Sequence, residues 1–246
     1  MSESVDRLWP EPAQNLDDED LLRAYAFPRE PWLRMNFISS IDGAATRDGL
    51  SGGLGDDADR RVFDLLRRPA HAVLVAAGTV RAEGYEAMRL DPASVAWRTE
   101  RQLPPHPVFA IVTRSLDLDA RSPLFADAPV RPIVYTVASA PEERRTVLDR
   151  VADVMTLGDD TVDLASVVSD LAARGHRHVH SEGGPNLFGT ALAQGVVDEL
   201  CLTLAPTLDG GTARRIAAST EASPTPMRLV SALRAGDELL LRYRRP

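Results

Sequence analysis

The feature that most constrains the fold is an alternation, from Trp32 onward, of strand-length apolar runs with longer amphipathic stretches. This alternation is typical of repeated β-α-β units, in which helices cover a parallel sheet. The predicted strands are 33–41, 72–76, 108–113, 132–136, 151–156 and 178–181, and the predicted helices are 56–68, 141–150, 161–174 and 185–194. The sequence therefore predicts an α/β fold with a mostly parallel central sheet.

The two ends of the chain follow other patterns. Segments 196–205, 227–233 and 239–243 predict strands, and Ala235-Gly236-Asp237 predicts the tight turn of a closing hairpin. Such strands run antiparallel, at the sheet edge or across a subunit interface. Residues 1–31 are acidic and contain four prolines, which indicates an N-terminal arm packed on the surface, with one short helix capped by Asp17. Residues 32–246 are then the main domain.

Composition excludes several classes of partner. A formal charge of -8 disfavours nucleic acids and anionic membranes, because phosphate binding needs a concentrated basic face. Cys201 is the single cysteine, so an internal disulfide and a cysteine-based zinc site are excluded, and no metal site is predicted. Without a signal peptide or a bilayer-length apolar run, we expect a soluble, cytoplasmic protein that acts on a small molecule.

The strongest candidate for a ligand site is the glycine-rich turn Glu182-Gly183-Gly184-Pro185, which follows a short strand and opens a helix. Free amides and the positive end of the helix dipole favour an anion there, and a pyrophosphate fits. A tight turn without a ligand is the alternative. Glu182 favours the ligand, because open α/β sheets bind ligands at the carboxyl ends of their strands.

Three other polar segments follow predicted parallel strands. Ser39 to Gly43 ends the first long strand, and the glycine-rich segment 49–55 after it predicts a mobile loop that closes over substrate. Thr79 caps a helix or offers its hydroxyl to a ligand. Thr113-Arg114-Ser115 suits a ribose 2′-phosphate, unless Arg114 is an ordinary surface residue. The coincidence of four such segments at one sheet edge predicts a binding site.

The chain resembles a known family from about residue 33 to about residue 241. The resemblance rests on Ser40-Ile41-Asp42-Gly43, Arg60 with Leu66-Arg67, Ala72-Val73-Leu74-Val75 with Gly78-Thr79-Val80, Glu182-Gly183-Gly184-Pro185-Asn186-Leu187, and Val197-Asp198-Glu199-Leu200 with Ala205-Pro206. It is similar to the pyrimidine reductase family of riboflavin biosynthesis, the C-terminal reductase domain of the bacterial bifunctional deaminase-reductase, here in a stand-alone form. The resemblance implies a dihydrofolate reductase-like, three-layer α/β/α fold with antiparallel C-terminal strands.

The resemblance also implies an activity, NADPH-dependent hydride transfer to the ribosyl C1′ of 5-amino-6-(5-phosphoribosylamino)uracil or a related aminopyrimidine ribosyl phosphate. It implies a homodimer whose interface contains segment 196–205 and the closing hairpin. Asp42 and Glu182 become the candidate catalytic residues. The implied substrate-binding residues are Asn36, Ser51, Arg67, Arg89 and Glu182. The implied NADPH-binding residues are Ser39, Gly78, Thr79, Glu83, Thr113, Arg114, Ser115, Gly183, Gly184, Pro185, Asn186, Leu187 and Phe188.

Departures from the family pattern leave the substrate open. Asn36 stands where family members carry a lysine, and Glu83 with Gly84-Tyr85 replaces an aspartate and an acidic-proline pair. A phosphate-bearing substrate loses a cationic partner, which favours the alternative of a dihydrofolate or pterin reductase on the same fold. A non-catalytic NADP-binding protein is a second alternative. No deaminase motif accompanies the reductase pattern, so we expect deamination to occur elsewhere.

Overall fold

One large sheet organises the protein, whose computed structural model describes residues 4–246. Within that range ten strands pair in the order β1-β9-β10-β8-β2-β7-β3-β4-β5-β6. The strands are β1 Val5–Trp9, β2 Trp32–Ser40, β3 Ala72–Ala76, β4 Val108–Val112, β5 Ile133–Thr136, β6 Asp153–Thr156, β7 His178–Ser181, β8 Glu199–Ala205, β9 Arg228–Ala235 and β10 Glu238–Arg244. From β8 to β6 all neighbours are parallel, whereas β10, β9 and β1 pair antiparallel.

Eight helices accompany the sheet in the described residues. They are α1 Asp18–Ala24, α2 Asp57–Arg67, α3 Ala77–Glu83, α4 Pro92–Glu100, α5 Pro123–Ala126, α6 Glu142–Leu148, α7 Leu164–Ala173 and α8 Pro185–Ala193. In residues 4–246, no helix combines the length and the apolar character needed to cross a bilayer.

Helices pack on both faces of the sheet. On one face, α1 and α2 share an apolar core with Cys201 of β8 and Leu240 of β10. On the opposite face, Phe188 of α8 stacks on Phe37 of β2 with ring centroids 4.9 Å apart. Phe37 pairs with Leu202, the strand neighbour of Cys201, and successive strand residues point to opposite faces. The predicted three-layer α/β/α fold, mostly parallel with antiparallel C-terminal strands, is confirmed.

Most predicted elements are present within a few residues, and β3 and β7 have the predicted bounds. Three differences have clear causes. The sequence analysis missed β1, α4 and α5 and gave no bounds for the helix at Thr79, which is α3; β1, α3 and α5 have seven residues or fewer. Thr79 lies inside α3, which begins at Ala77, so its predicted role as a helix cap is wrong. β8 pairs antiparallel with β10 but parallel with β2, because it is the strand that joins the antiparallel edge to the parallel part of the sheet.

The N-terminal arm contains the predicted short helix, α1. Asp17 caps it, and Asp17 and Asp20 form a reciprocal capping box. The arm also adds β1 to the sheet edge, where Val5 pairs with Ala235 of β9. Since β1 forms backbone hydrogen bonds with β9, the arm is part of the sheet and does more than pack on the surface. The division of the chain into an arm and a main domain at residue 31 stays a prediction.

A buried ion cluster around Glu199 fastens this arm to the sheet. The Glu199 carboxylate accepts from Arg34 Nε at 2.5 Å, Arg242 Nη2 at 2.9 Å and Arg244 Nε at 3.0 Å. Arg34 also donates to the Tyr25 carbonyl at the end of α1. Burial works to raise the pKa of Glu199, but the guanidinium groups outweigh it and lower the pKa to about 2. The carboxylate is therefore ionised and saturated with donors.

Candidate active site

A cavity of about 1060 Å³ opens beside the carboxyl ends of β3 and β7. Its walls come from β2, α2, α3, the turn before α8 and three loops, 41–56, 84–91 and 206–227. A groove of about 310 Å³ lies next to it, and Ala76, Gly78 and Asn186 line both. The two spaces are therefore adjacent at the glycine turn, and together they offer room for an extended ligand and a smaller second one.

The glycine turn before α8 is a tight backbone cradle. Gly183 has φ +84°, and a Cβ there would lie 2.6 Å from the Phe37 ring. At Gly184 a Cβ would lie 2.4 Å from the Thr79 hydroxyl. α8 begins at Pro185, and no side chain caps it, so its first free amides are available to an anion. This arrangement fits a dinucleotide phosphate, which needs close approach of the backbone.

Glu182 is the buried carboxylate at the cavity wall. It accepts from Arg67 Nε at 2.6 Å and Nη2 at 2.8 Å, and from the Tyr85 hydroxyl at 2.7 Å. Burial works to raise the pKa of Glu182, but the charge and hydrogen bonds of Arg67 outweigh it, so the pKa lies below its ordinary value. Burial and the Glu182 carboxylate both raise the pKa of Tyr85. Glu182 is thus an ionised acceptor and not a proton donor.

His180 lies behind Glu182 and is wholly buried. Its Nε2 lies 3.6 Å from Glu182 Oε1, and neither ring nitrogen has a hydrogen-bond partner in the described part of the chain. Burial lowers the pKa of His180 to about 3. The imidazole is therefore neutral and adds no charge to the site.

Two loops that enclose the cavity are fastened to their surroundings. The backbone N–H and hydroxyl of Ser51 both donate to Glu83 Oε1 at 2.9 Å. Arg47 donates to Asp209 at 3.1 Å and to the Thr207 hydroxyl at 3.0 Å. Loop 41–56 is thereby tied to α3 and to loop 206–227, and Glu83 is engaged by the protein itself.

Asp42 joins the same two loops but lines neither space. Its carboxylate accepts from the Ser40 hydroxyl at 2.5 Å and from the backbone amides of Gly210 at 2.7 Å and Asp209 at 3.1 Å. These hydrogen bonds, led by that of Ser40, lower the pKa of Asp42 to about 2. Asp42 is an exposed structural acceptor in this arrangement.

The predicted site residues fall into three groups. The large cavity is lined by Asn36, Ser51, Arg67, Gly78, Thr79, Glu83, Arg89, Glu182, Gly184, Pro185 and Asn186. The groove is lined by Gly78, Thr113, Arg114, Ser115, Asn186 and Leu187. Ser39, Asp42, Gly183 and Phe188 line neither space. Ser39 and Phe188 are buried. A direct ligand contact by any of these four residues stays a prediction, because none of them lines the cavity or the groove.

Several side chains that line the cavity were not among the predicted site residues, although Arg60 and Tyr85 stand at positions of the family pattern. On α2, Arg60 and Phe63 share a face with Arg67, at the i, i+3 and i+7 spacing that a helical periodicity analysis detects. Asp59 and Tyr85 also line the cavity. Their contacts depend on tertiary closure, which no local pattern signals.

Comparisons with known proteins agree on one family. Residues 31–241 match the family model described as the RibD C-terminal domain. The 2,5-diamino-6-ribosylamino-4(3H)-pyrimidinone 5′-phosphate reductase of Archaeoglobus fulgidus is 30% identical over 188 residues, 74% of this chain and 83% of the relative. The reductase of the same name from Methanothermobacter thermautotrophicus is 30% identical over 224 residues, 87% of this chain and 97% of the relative. A pyrimidine reductase-like protein of Corynebacterium diphtheriae, at 29% identity, superposes with a TM-score of 0.83 over 91% of this chain and 97% of its own.

Proposed function

The chain belongs to the RibD C-terminal domain family, and we propose that it is an NADPH-dependent reductase of a ribosylaminopyrimidine 5′-phosphate. The family relationship makes it an oxidoreductase of the pyrimidine reductase type. The observation that carries the finer proposal is the glycine cradle of Gly183 and Gly184 between a large cavity and a smaller groove. A dinucleotide along the groove and a substrate in the cavity would meet there.

The choice of NADPH rests on the groove. Arg114 is exposed there, and its guanidinium has no hydrogen-bond partner among residues 4–246. A free guanidinium beside the hydroxyl of Ser115 suits a ribose 2′-phosphate. The amides at the start of α8 would hold the pyrophosphate. When bound, the dinucleotide supplies the hydride, and the protein positions the acceptor carbon and excludes water.

The choice of a phosphorylated substrate rests on cations at the cavity. Arg89 donates only to the Asp127 carbonyl, at 2.8 Å, and the Arg214 side chain has no partner in the described residues although it lines the cavity. These guanidinium groups would offset the loss of a lysine at Asn36. The archaeal relatives carry the name of a diaminopyrimidinone phosphate reductase, so we include that compound beside the uracil derivative as a candidate. Hydride transfer would open the ribosyl group at C1′ into a ribityl chain.

In this proposal the two candidate catalytic carboxylates have different roles. Glu182 holds Arg67 and Tyr85 at the substrate and accepts from its polar groups as an ionised carboxylate. Asp42 orders the loops that enclose the cavity. A cytoplasmic location, expected from the sequence, remains part of the proposal.

The proposed assembly is a homodimer through the open face of the C-terminal strands. The register pairs Leu239 with Leu204 and Leu241 with Leu202, so these four side chains share one face, and all are part-exposed. The opposite face is covered by α1 and α2. A contiguous apolar patch of this kind on a soluble enzyme is typical of a subunit interface.

The test is a matrix of substrates and cofactors. We expect the purified protein to oxidise NADPH at least about 100-fold faster with the uracil or the diaminopyrimidinone ribosyl phosphate than with dihydrofolate. The rate is measured as the loss of absorbance of the reduced nicotinamide. Arg114→Gln should raise KM for NADPH about 10-fold and leave KM for NADH unchanged. Arg121→Gln, an exposed arginine outside the groove, is the matched control. Faster turnover of dihydrofolate would rule out the proposed substrate. NADPH binding without any turnover would rule out the proposal that the protein is an enzyme.

A further inference from the structure

Tyr85 occupies a place in the cavity wall that its surroundings fix. It follows Gly84, where α3 ends with φ +70°, and its backbone N–H donates to the Val80 carbonyl at 3.0 Å. Its ring packs against Phe109 of β4, with the two ring centroids 5.9 Å apart. The hydroxyl reaches Glu182 Oε2 at 2.7 Å. The phenol oxygen is therefore held by contacts along the whole side chain.

The hydrogen bond between Tyr85 and Glu182 has a defined direction. Arg67 donates to both oxygens of Glu182, at 2.6 and 2.8 Å, and keeps the carboxylate ionised. An ionised carboxylate can only accept, so the phenol donates its single proton to Glu182. Burial and the Glu182 charge both raise the pKa of Tyr85, so the phenol keeps that proton at neutral pH. Toward a ligand, the phenol oxygen is then an acceptor only.

Arg67 has the opposite capacity. Its Nε and Nη2 donate to Glu182, whereas Nη1 donates no hydrogen bond within residues 4–246 and lies 3.9 Å from Asp64 Oδ1. The guanidinium stacks on Phe63, 4.5 Å from the ring centroid, and 19% of the side chain is exposed. Arg67 Nη2 and the Tyr85 hydroxyl both bind Glu182 Oε2. A free donor and a free acceptor are therefore neighbours at the cavity.

A donor fixed beside an acceptor matches a carbonyl that is next to an N–H. The carbonyl oxygen accepts from Arg67 Nη1, and the N–H donates to the Tyr85 oxygen. A phosphate matches less well, because Glu182 neutralises the charge of Arg67 and the phenol offers a phosphate only lone pairs. Since 1% of the Glu182 side chain is exposed, Arg67 and Tyr85 present most of this group to a ligand.

We propose that Tyr85, together with Arg67, is a specificity-determining residue that recognises the C4 carbonyl and the N3–H of the substrate's pyrimidine ring. The inference rests on the proposed function and adds the edge by which the ring is bound. The uracil and the 4(3H)-pyrimidinone candidates share this edge. An amino group at C4 would instead point a donor at Arg67 and leave N3 without the hydrogen that Tyr85 accepts. The pterin ring of dihydrofolate has the same edge, so the cations proposed for the phosphate, and not Tyr85, would distinguish it.

The first experiment measures binding without turnover. The probes are the ribitylamino product expected from the uracil derivative, which has no C1′ left to reduce, and its analogue with an amino group in place of the C4 oxygen. In calorimetry on the purified protein, we expect the oxo compound to bind at least about 100-fold more tightly, because the analogue replaces two hydrogen bonds by two mismatches. Affinities within about threefold of each other would overturn the inference.

Tyr85→Phe separates recognition of the ring from a structural effect. Without the acceptor, the oxo compound should bind about 10-fold more weakly, and its advantage over the amino analogue should shrink by a similar factor. Tyr135→Phe is the matched control, because the Tyr135 hydroxyl also donates to a carboxylate, that of Asp170, at 2.7 Å but lines neither space. This control should leave both affinities unchanged. Equal weakening of both probes in Tyr85→Phe would mean that Tyr85 is only structural.

The second experiment measures turnover of the aminopyrimidine substrate. In Tyr85→Phe, KM for this substrate should rise about 10-fold while kcat stays within about threefold, as for a contact made equally in the ground and transition states. A fall in kcat of about 100-fold at unchanged KM would overturn the inference and make the phenol a proton donor.

The two proposals fail in different ways. If neither probe binds and no aminopyrimidine is reduced, the proposed substrate is wrong, and the inference about Tyr85 is wrong with it. If aminopyrimidines are reduced but the preference for the oxo compound is absent, only the role of Tyr85 is wrong.

Discussion

Glu182 and Glu199 are both buried carboxylates bound by arginine in the same sheet, yet their surroundings differ. Glu199 accepts from three guanidinium groups, and the arginines around it also donate to backbone carbonyls at the end of α1. Glu182 accepts from one guanidinium and one phenol, and its Arg67 partner reaches the cavity with 19% of its side chain exposed. Neither Glu199 nor its three arginines line the cavity or the groove, although Arg244 keeps 31% of its side chain exposed. The first group is therefore closed to a ligand, whereas the second lines a space for one.

The comparison shows that the same kind of residue pair, a buried glutamate bound by arginine, serves two purposes in this protein. The unpaired donors of the closed cluster, Arg34 Nη1 and Arg242 Nε, are buried, so they are not available to another molecule, and the ion pairs hold elements of the fold together. An open cluster keeps part of its hydrogen-bonding capacity for a ligand, and it is less important to stability. Breaking each cluster separately therefore tests whether closure is what distinguishes a structural carboxylate from a functional one.

The largest effect should come from Glu199→Gln. Removing the charge leaves three buried or part-buried guanidinium groups without their counterion, so the free energy of unfolding should fall by about 3–5 kcal/mol in urea denaturation. Because the folded pKa of Glu199 is lowered from 4.5 to about 2, its stabilisation is present above pH 4.5 and is lost as pH falls toward 2. The gap between wild type and variant should narrow over that window.

A control for the closed cluster is Glu142→Gln, which breaks the exposed pair with Arg145. It should change the free energy of unfolding by less than about 1 kcal/mol. A Glu199→Gln protein as stable as this control would remove the distinction between the two clusters.

Glu182→Gln should affect activity more than stability. The neutral amide cannot accept both bonds from Arg67 and the one from Tyr85, so we expect kcat/KM to fall about 100-fold, or about 2.7 kcal/mol. The decrease in the free energy of unfolding should be smaller for Glu182→Gln than for Glu199→Gln. Tyr85→Phe removes one donor and should cost about 10-fold in the same kinetic assay. Equal losses of folding stability in Glu182→Gln and Glu199→Gln would mean that closure does not separate the two carboxylates.

The smallest effect should come from His180→Leu. Both ring nitrogens of His180 are buried without partners, so an apolar side chain should raise the free energy of unfolding by about 1 kcal/mol and leave kcat/KM within about threefold. His71→Leu is the contrasting variant, since His71 Nδ1 accepts from the Arg177 backbone N–H at 3.1 Å, and it should be destabilising. A large loss of activity in His180→Leu would extend the functional cluster to this residue.

Much of the fold could be predicted because its signals are local. β3 is an uninterrupted apolar run, and β7 is a short run between turn signals. Because the two strands belong to a parallel sheet, their carboxyl ends lie at the same edge. The same reasoning located the cradle of Gly183 and Gly184. β1 was missed because Val5–Trp9 contains two charges in five residues, and its pairing with β9 supplies what its own pattern does not.

The candidate site was less predictable because its chemistry depends on partners distant in sequence. The low pKa of Glu182 comes from Arg67 and Tyr85, about 100 residues away. Asp59 was missed because on α2 it looks like any polar residue of a first helical turn, and only the packing of α2 beside β2 and α3 brings it to the cavity wall. Asp42 was predicted at a strand end, but whether its side chain points into a cavity depends on loop 206–227.

The pairing of β1 with β9 also bears on how the chain is made. Val5 meets Ala235, about 230 residues later, so the first strand cannot join the sheet until nearly the whole polypeptide has left the ribosome. At synthesis rates of about 5–20 residues per second, that strand waits for on the order of ten to fifty seconds. During this time the apolar side chain of Val5 lacks its partner strand. The pairing of β1 with β9 is therefore one of the last folding events.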